Sequence, residues 1–322
     1  LYLFEMKLAL ATVAVAHAAT LTAEVMDAFA RFTKEYNKVY ADSEFSTRMA
    51  IFAENLERIN EQNKQHILIG GEAVFGVTQF SDLTPAEFKA QYLTYIPNNA
   101  TVPRVNIELD GAPNTVVDWR TKGAVTEVKD QGQCGSCWAF SATEAIESYA
   151  FLKSGKLIAL SPQQITSCDK VDGGCNGGNT ETAYAYVVKA GGIETSADYP
   201  YTSGGGNTGV CKFDASKVAV KITGYKAVAK GESNMKAALN NGPVSVCLAA
   251  DAFQSYRSGI LRSCPGQVDH CVQAVGYDDS NSPPYWIIRN SWATSWGEQG
   301  YIRVESGKDL CKISDDVTYP TF

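Results

Sequence analysis

The first 133 residues of this chain contain no cysteine; all nine lie beyond them, at positions 134, 137, 168, 175, 211, 247, 264, 271 and 311. Any disulfide framework is thereby confined to the C-terminal part. Histidine is scarce, with 3 residues, and basic charge is in deficit, with a formal net charge of −7 at pH 7. No run of Lys and Arg occurs, which argues against nucleic acid as a partner, since binding it needs a clustered basic surface to displace counterions. No apolar run reaches the roughly 18 residues that a spanning helix requires, so no membrane span is expected. Internal repeats and low-complexity tracts are missing as well.

What is present, 45% hydrophobic and 20% charged residues over 322 positions, suits a globular protein of two or three structural units. Met6-Lys7, the apolar stretch Leu8 to Ala16 and the small residues Ala16 and Ala18 around His17 have the make-up of a secretory signal over residues 1–18, with Leu1 to Glu5 upstream of the start. A short buried helix or a membrane anchor is the alternative. The signal predicts an oxidising compartment, and the cysteine usage agrees.

Residues 24 to 92 are rich in helix formers, and Glu44, Arg48, Phe52, Asn55, Ile59 and Asn63 follow one another at steps of four, four, three, four and four. At ~100° per residue they drift across a stripe of only ~100°, so they share one face of a long helix. Pro97 to Pro113 then carries three prolines, Asn-Asn and Asp-Gly and reads as an exposed linker suited to cleavage. Its Asn99-Ala100-Thr101 is a glycosylation acceptor in a secreted chain. About 210 residues remain, enough for two lobes. The first opens with a helix from Cys137, with Ala142, Ala145, Ile146, Tyr149 and Leu152 on one face and Gly155 as its stop. The second is strand-rich: Val244 to Ala249, Cys271 to Tyr277, Tyr285 to Arg289 and Tyr301 to Val304.

His270 is the one imidazole left once the signal and the helical segment with His66 are removed. A lone histidine is more often structural than catalytic. Cys137, in Gln131-Gly-Gln-Cys-Gly-Ser-Cys-Trp138, opens the predicted helix, where the dipole and a nearby imidazolium would stabilise a thiolate. Three other readings compete. Cys137 is a disulfide partner, in rivalry with Cys134; or Cys134 and Cys137 form a redox pair, which wants a preceding strand in a small α/β fold; or they bind zinc, which needs four ligands at matched spacing.

Together these segments resemble the papain and cathepsin family of cysteine proteases, from about residue 24 to the C-terminus. The resemblance rests on Cys134-Gly-Ser-Cys137-Trp with distant His270 and Asn290, on Val117-Asp-Trp-Arg120, on Gly174-Cys-Asn-Gly177-Gly178 and on Tyr285-Trp-Ile-Ile-Arg-Asn290-Ser-Trp292. Upstream, the six helix residues Glu44 to Asn63 match the cathepsin L-type propeptide motif. Gly76-x-Thr78-x-Phe80-x-Asp82 resembles its companion, with Thr78 where the family often has Asn.

The resemblance implies an α+β, papain-like two-lobe fold, with a helical left lobe and a β-barrel-like right lobe. A helical propeptide precedes it: signal 1–18, inhibitory propeptide 19–112, peptidase domain 113–322. It implies Cys137 as nucleophile, His270 as acid and base, Asn290 as orienter of the imidazole, Trp292 as its shield, and Gln131 with the Cys137 N–H as oxyanion hole. Gly177, Gly178, Thr180, Val268, Asp269 and Trp292 would line the substrate cleft. The implied bridges are Cys134 with Cys175, Cys168 with Cys211, and Cys264 with Cys311. Cys247 and Cys271 are then left over, facing each other across the pocket for the second residue before the scissile bond, as small apolar lining or as a fourth bridge, with two buried thiols the favoured expectation. Asp316 would floor that pocket and let it accept Arg or Lys beside Leu or Phe. No metal or organic cofactor is implied. The implied partners are protein and peptide substrates, the chain's own propeptide as inhibitor, released by acid through carboxylates such as Asp82, and cystatin-like inhibitors. The implied protein is a monomer of the secretory pathway, lysosomal, vacuolar or extracellular. An exopeptidase of the same family and a catalytically silent binding protein are the rivals.

Overall fold

The computed structural model describes residues 22–98, 102–109 and 111–322; the signal segment 1–18 and the Asn99 acceptor lie outside these. Helix α1 (Ala23–Glu35) starts at Thr22, whose hydroxyl accepts the Val25 N–H at 3.3 Å. Helix α2 (Asp42–Leu68) is the long helix expected from the four-residue spacing. Its stripe does two jobs. Phe52 packs on Phe29 and Phe32 of α1, with ring centroids 5.3 and 4.9 Å away, while the polar members grip the returning chain. Asn55 Nδ2 donates to Ser81 O and Leu83 O at 2.7 and 2.8 Å, and the Asn63 side chain both donates to and accepts from the Phe75 backbone at 2.9 Å. Arg48 donates to Asp82 O and to Glu87, which belongs to the capping box of α3 (Pro85–Tyr92). Glu44 is exposed in the first turn, where a carboxylate suits the helix dipole.

The segment read as an exposed linker is in part docked. Arg104–Val105 form strand β1, paired in parallel with strand β5 (Gly224–Val228), and Ile107 packs against the main core. Its backbone groups find partners on the sheet edge, which proline-rich composition alone does not reveal. Strand β2 (Val116–Asp118) follows, then helices α4 (Cys137–Ser154), α5 (Pro162–Cys168) and α6 (Thr180–Ala190) of one lobe. Strands β3 (Ile193–Glu194) and β4 (Val218–Val220) make a small ribbon. The second lobe contains β5 (Gly224–Val228), helix α7 (Glu232–Asn241), β6 (Val244–Leu248), β7 (Ile260–Leu261), β8 (His270–Asp278), β9 (Tyr285–Arg289), β10 (Tyr301–Glu305) and β11 (Asp316–Thr321). Its strand order is β1-β5-β11-β6-β8-β9-β10-β7, with β2 on β8.

Helix α4 ends at Gly155, which takes the left-handed conformation at φ 72° that a side chain would strain. The apolar face foreseen for it is only part of the story: from Cys137 to Ser148 every residue is buried. The helix lies between the lobes, so its polar side must be satisfied by protein. Ser141 Oγ donates to Val272 O at 2.7 Å, and Gln273 Nε2 donates to Glu144 O at 3.0 Å. Glu147 accepts from Lys129 at 2.8 Å, and Arg289 approaches Glu144 at 3.3 Å. These buried charges, each compensated, tie the first lobe to β9.

Bridges join Cys134 to Cys175, Cys168 to Cys211 and Cys264 to Cys311. A fourth joins Cys247 to Cys271, so the expectation of two separate thiols is wrong. Sheet register is the reason: β6 and β8 place the two residues directly opposite each other, with Cα atoms 4.0 Å apart. The loops closed span 24 to 47 residues, worth about 3 to 4 kcal/mol each in the chain-entropy account.

Candidate active site

Three chain segments meet at the lobe boundary: the first residue of α4, the first residue of β8 and the residue after β9. They carry Cys137, His270 and Asn290, all three fully buried. Cys137 is the one free cysteine among the described residues, which removes the readings of the Cys134–Cys137 pair as a redox couple or zinc ligands. Burial pushes its thiol up, against hydrogen bonding from the backbone of Cys271, from the Thr94 side chain and backbone, and from the backbone of Trp138. Cys271 is the neighbour of His270 on β8, so the sulfur is held by the backbone one residue along the strand from the histidine. The His270 Nε2–H donates to Asn290 Oδ1 at 2.8 Å, and that oxygen also accepts the Ser291 N–H at 2.9 Å, which fixes the amide's orientation. Nδ1 is left without a well-formed hydrogen bond among the described residues. The Trp292 ring stacks on the imidazole at 4.7 Å and 27°. Burial pushes His270 down to about 4, and the Asn290 side chain and Tyr92 backbone only partly offset it.

Gln131 is fully buried six residues before Cys137. Its backbone N–H donates to Ser291 O at 2.9 Å, its Oε1 accepts from Ser291 Oγ at 2.6 Å, and its Nε2 donates to Cys134 O at 3.0 Å. One hydrogen of the amide remains for another acceptor.

The cleft is occupied by the chain's own residues 94 to 96. Thr94 Oγ1 donates to Gly135 O at 2.9 Å and lies 4.0 Å from the Cys137 sulfur. Tyr95 N donates to Asp269 O, and Ile96 N to Gly178 O, both at 2.9 Å. The glycines are required: at Gly177 (φ 113°) a Cβ would overlap the Thr94 carbonyl, and at Gly178 it would strike Asp172 and Trp138. The Tyr95 hydroxyl donates to Asp316 Oδ2 at 2.7 Å. Asp316 pairs with Cys247 across β11 and β6, so the carboxylate lies beside the Cys247–Cys271 bridge. Thr180 is buried with its hydroxyl 2.8 Å from that of Thr318, and Asn179 caps α6. Val268 packs against the first lobe's core.

Around the site, Phe80, Phe88 and Tyr92 pack edge-on against Trp292 at 5.1, 5.4 and 6.0 Å. Gly76 N donates to Ser255 O at 2.8 Å, and Thr78 Oγ1 donates to Gln254 O at 2.5 Å. Asp82 does not reach the second lobe: it takes Lys38 at 3.0 Å and the Tyr40 hydroxyl at 2.8 Å, both from the helical segment. Sequence reasoning missed Tyr95, Lys89, which bonds Asp269 at 3.1 Å, and His66, whose Nε2 accepts the Arg262 N–H at 2.9 Å. None has a local signal, because each partner is more than 100 residues away.

Similarity to known proteins follows the same division of the chain. The profile described as "Papain family cysteine protease" matches residues 113–321, and that described as "Cathepsin propeptide inhibitor domain (I29)" matches residues 29–88. Digestive cysteine proteinase 1 of Homarus americanus is 42% identical over 305 residues, covering 90% of this chain and 93% of its own. A cysteine proteinase of Trypanosoma brucei brucei is 43% identical over 300 residues, 90% of this chain and 66% of that one. Among solved structures, a recombinant stem bromelain precursor has a TM-score of 0.83 at 36% identity, over 93% of this chain and 99% of the other. Digestive procathepsin L 3 of Tenebrio molitor larval midgut has a TM-score of 0.83 at 32% identity, over 94% and 100%.

Proposed function

This chain belongs to the papain family of cysteine proteases and carries a propeptide inhibitor domain, and from that premise we propose that Cys137, His270 and Asn290 form the catalytic group of an endopeptidase that is stored with its cleft filled. The observation that carries the proposal is the free, buried Cys137 at a helix start, bonded to the backbone beside a histidine whose far nitrogen is held by Asn290. Labelling of the acid-processed protein by an epoxide inhibitor, with mass mapping, tests it: adducts on any residue but Cys137 count against it.

The chemistry is acyl transfer. The Cys137 thiolate attacks the peptide carbonyl carbon, and the oxyanion that forms takes hydrogen bonds from Gln131 Nε2 and the Cys137 N–H. His270 gives its Nδ1 proton to the leaving amine as the C–N bond breaks. Water then attacks the thioester, with His270 accepting its proton, and the acid leaves as the Cys137 sulfur is released. Asn290 and Trp292 hold the ring in place. In the stored form burial raises the thiol and lowers the imidazole, and so favours the neutral form of each over the ion pair. Uncovering the cleft returns water to both and restores the ion pair.

Asp316 is the floor of the pocket for the second residue before the cut. Tyr95 supports this reading, as an aromatic ring directed at the carboxylate. The pocket then takes Leu, Phe or Tyr, and Arg or Lys through an ion pair. In the fully processed enzyme Asp316→Ala is expected to lower the ratio of cleavage after Arg-Arg to cleavage after Phe-Arg by at least about fivefold, the scale of one ion pair. An unchanged ratio refutes the assignment.

Acid releases the propeptide in this reading. Burial tends to raise the Glu87 carboxyl, but Thr84 and Arg48 outweigh it and hold the group below its ordinary range. A depressed acid contributes stability above its unfolded value and loses it as pH falls through the lowered folded value, so the Arg48–Glu87 tie fails below the usual carboxylate range. Glu87→Gln weakens the tie at every pH. The variant precursor is expected to process at pH 7 at least about threefold faster than the parent, with a flatter acid limb; electrophoresis of timed samples measures it, and parental rates at both pH values would refute it.

Protein and peptide substrates follow from the mechanism, and digestion of intact casein separates endopeptidase from exopeptidase. Cystatin-like inhibitors are the expected partners of the open cleft of a monomeric enzyme. No helix of the described residues is long and apolar enough to cross a membrane, and the bridges fit the secretory pathway, with lysosome, vacuole or extracellular space as destination.

A further inference from the structure

Two separate pieces of the propeptide reach the same carboxylate. The Tyr95 hydroxyl donates to Asp316 Oδ2 at 2.7 Å, and Arg104 Nη2 donates to Asp316 Oδ1 at 3.2 Å. They arrive by different routes. Tyr95 enters from the cleft, with its backbone held on Asp269 and Ile96 held on Gly178. Arg104 enters from the sheet edge: it lies opposite Ala227 of β5, Ala227 lies opposite Thr318 of β11, and the long side chain crosses β5 to Asp316 on β11. Its other nitrogen donates to Val228 O at 3.2 Å.

The strand that carries Arg104 has its own attachments. Ala229 N donates to Val105 O at 2.8 Å, Ile107 N donates to Asn234 Oδ1 at 3.3 Å, and the Ile107 side chain packs on the main core. None of these involves the cleft segment. A cut between Ile96 and Arg104 therefore frees the cleft and Tyr95 while leaving Arg104 on the carboxylate. Glu181, bonded to Asn98 before the cut, lies close enough to feel both Asp316 and Arg104, so the guanidinium also faces a second acid.

We infer that Arg104 is a removable specificity determinant of the substrate pocket: docked on β5 it neutralises Asp316 and the pocket selects uncharged side chains, and its later trimming exposes the carboxylate and admits arginine or lysine. The enzyme thus has two mature forms, differing by the strand from Arg104 to about residue 112, with two specificities. The inference rests on the assignment of Asp316 to the floor of that pocket. Its physical basis is that a carboxylate already paired has little left to offer a second cation, and that the competing arginine is tethered at high effective concentration.

The test uses the full precursor with a specific cleavage site introduced between residues 98 and 102. Cutting there gives the long form; complete trimming to Pro113 gives the short form, and intact mass before and after each assay verifies the N-terminus. For each, kcat/KM is measured on peptides with Arg or Phe at the second position before the cut. The ratio of Arg to Phe is expected to rise at least about fivefold from long to short form, the scale of one ion pair. Arg104→Ala in the long form should reproduce the short-form ratio, and Arg104→Lys should keep the low one. Equal ratios in the two forms, with Asp316→Ala still lowering the ratio in the short form, overturn the inference and leave the pocket assignment standing. If Asp316→Ala changes the ratio in neither form, the pocket assignment itself fails and the inference with it.

Discussion

Cys137→Ser is expected to lower kcat/KM by at least about 10⁴-fold on any peptide substrate, as removal of a covalent nucleophile does elsewhere. The oxygen would stand where the sulfur stands, with the same hydrogen-bond neighbours, so shape and binding are nearly kept. What is lost is ionisation: a hydroxyl gives up its proton far less readily than a thiol, and the site has an imidazole but no carboxylate on it to drive the transfer, since Asn290 holds the ring instead. The fold has no stake in the exchange, because all four bridges lie elsewhere and Cys137 is free. His270→Ala should cost about as much, and the double variant little more, because the two groups act as one unit. The measurements are steady-state rates with unchanged thermal unfolding and full labelling of the parent. Retention of a tenth of the parental rate by the serine variant would remove Cys137 from the mechanism.

Gln131→Ala is expected to lower kcat by about 10²- to 10³-fold with KM little changed, the effect of deleting one oxyanion donor. The side chain is buried, its carbonyl is tied to Ser291 Oγ and its backbone to Ser291 O, so the amide nitrogen is held in a fixed orientation. A fixed dipole costs nothing to reorganise as the oxyanion forms, hence an effect on kcat and not on ground-state binding. The competing explanation is structural, since the same substitution removes the Ser291 contact. Ser291→Ala separates the two: it breaks that contact and leaves the donor, and should cost less than about tenfold. Equal losses in both variants would make Gln131 a support for the loop and no more.

Both expectations concern residues that the sequence marks by short-range order: a Gln, a free Cys and a Trp on either side of a helix start, then His and Asn at strand ends. The long helix α2 was equally legible, because its stripe is a local repeat, and so was the stop of α4 at Gly155. Two readings went astray for one reason. Cys247 and Cys271 look like spare thiols until β6 and β8 are in register, and residues 104 to 109 look like free linker until β5 offers them an edge. Asp82, named in the sequence as an acid-sensitive carboxylate, has its charge satisfied inside the helical segment by Lys38 and Tyr40.

By itself the sequence determined the family and pointed to the proposed nucleophile and imidazole and to a helical leader ahead of two lobes, since periodicity and motif spacing are properties of neighbours along the chain. Only the tertiary structure decided which carboxylates Lys89 and Arg104 pair with, that the Tyr95 hydroxyl bonds Asp316, and that a fourth bridge stands beside it. Those outcomes depend on sheet register and on surfaces brought together from distant segments. They are set by which backbone edges and charges are left unpaired once the elements pack, and no local pattern encodes that.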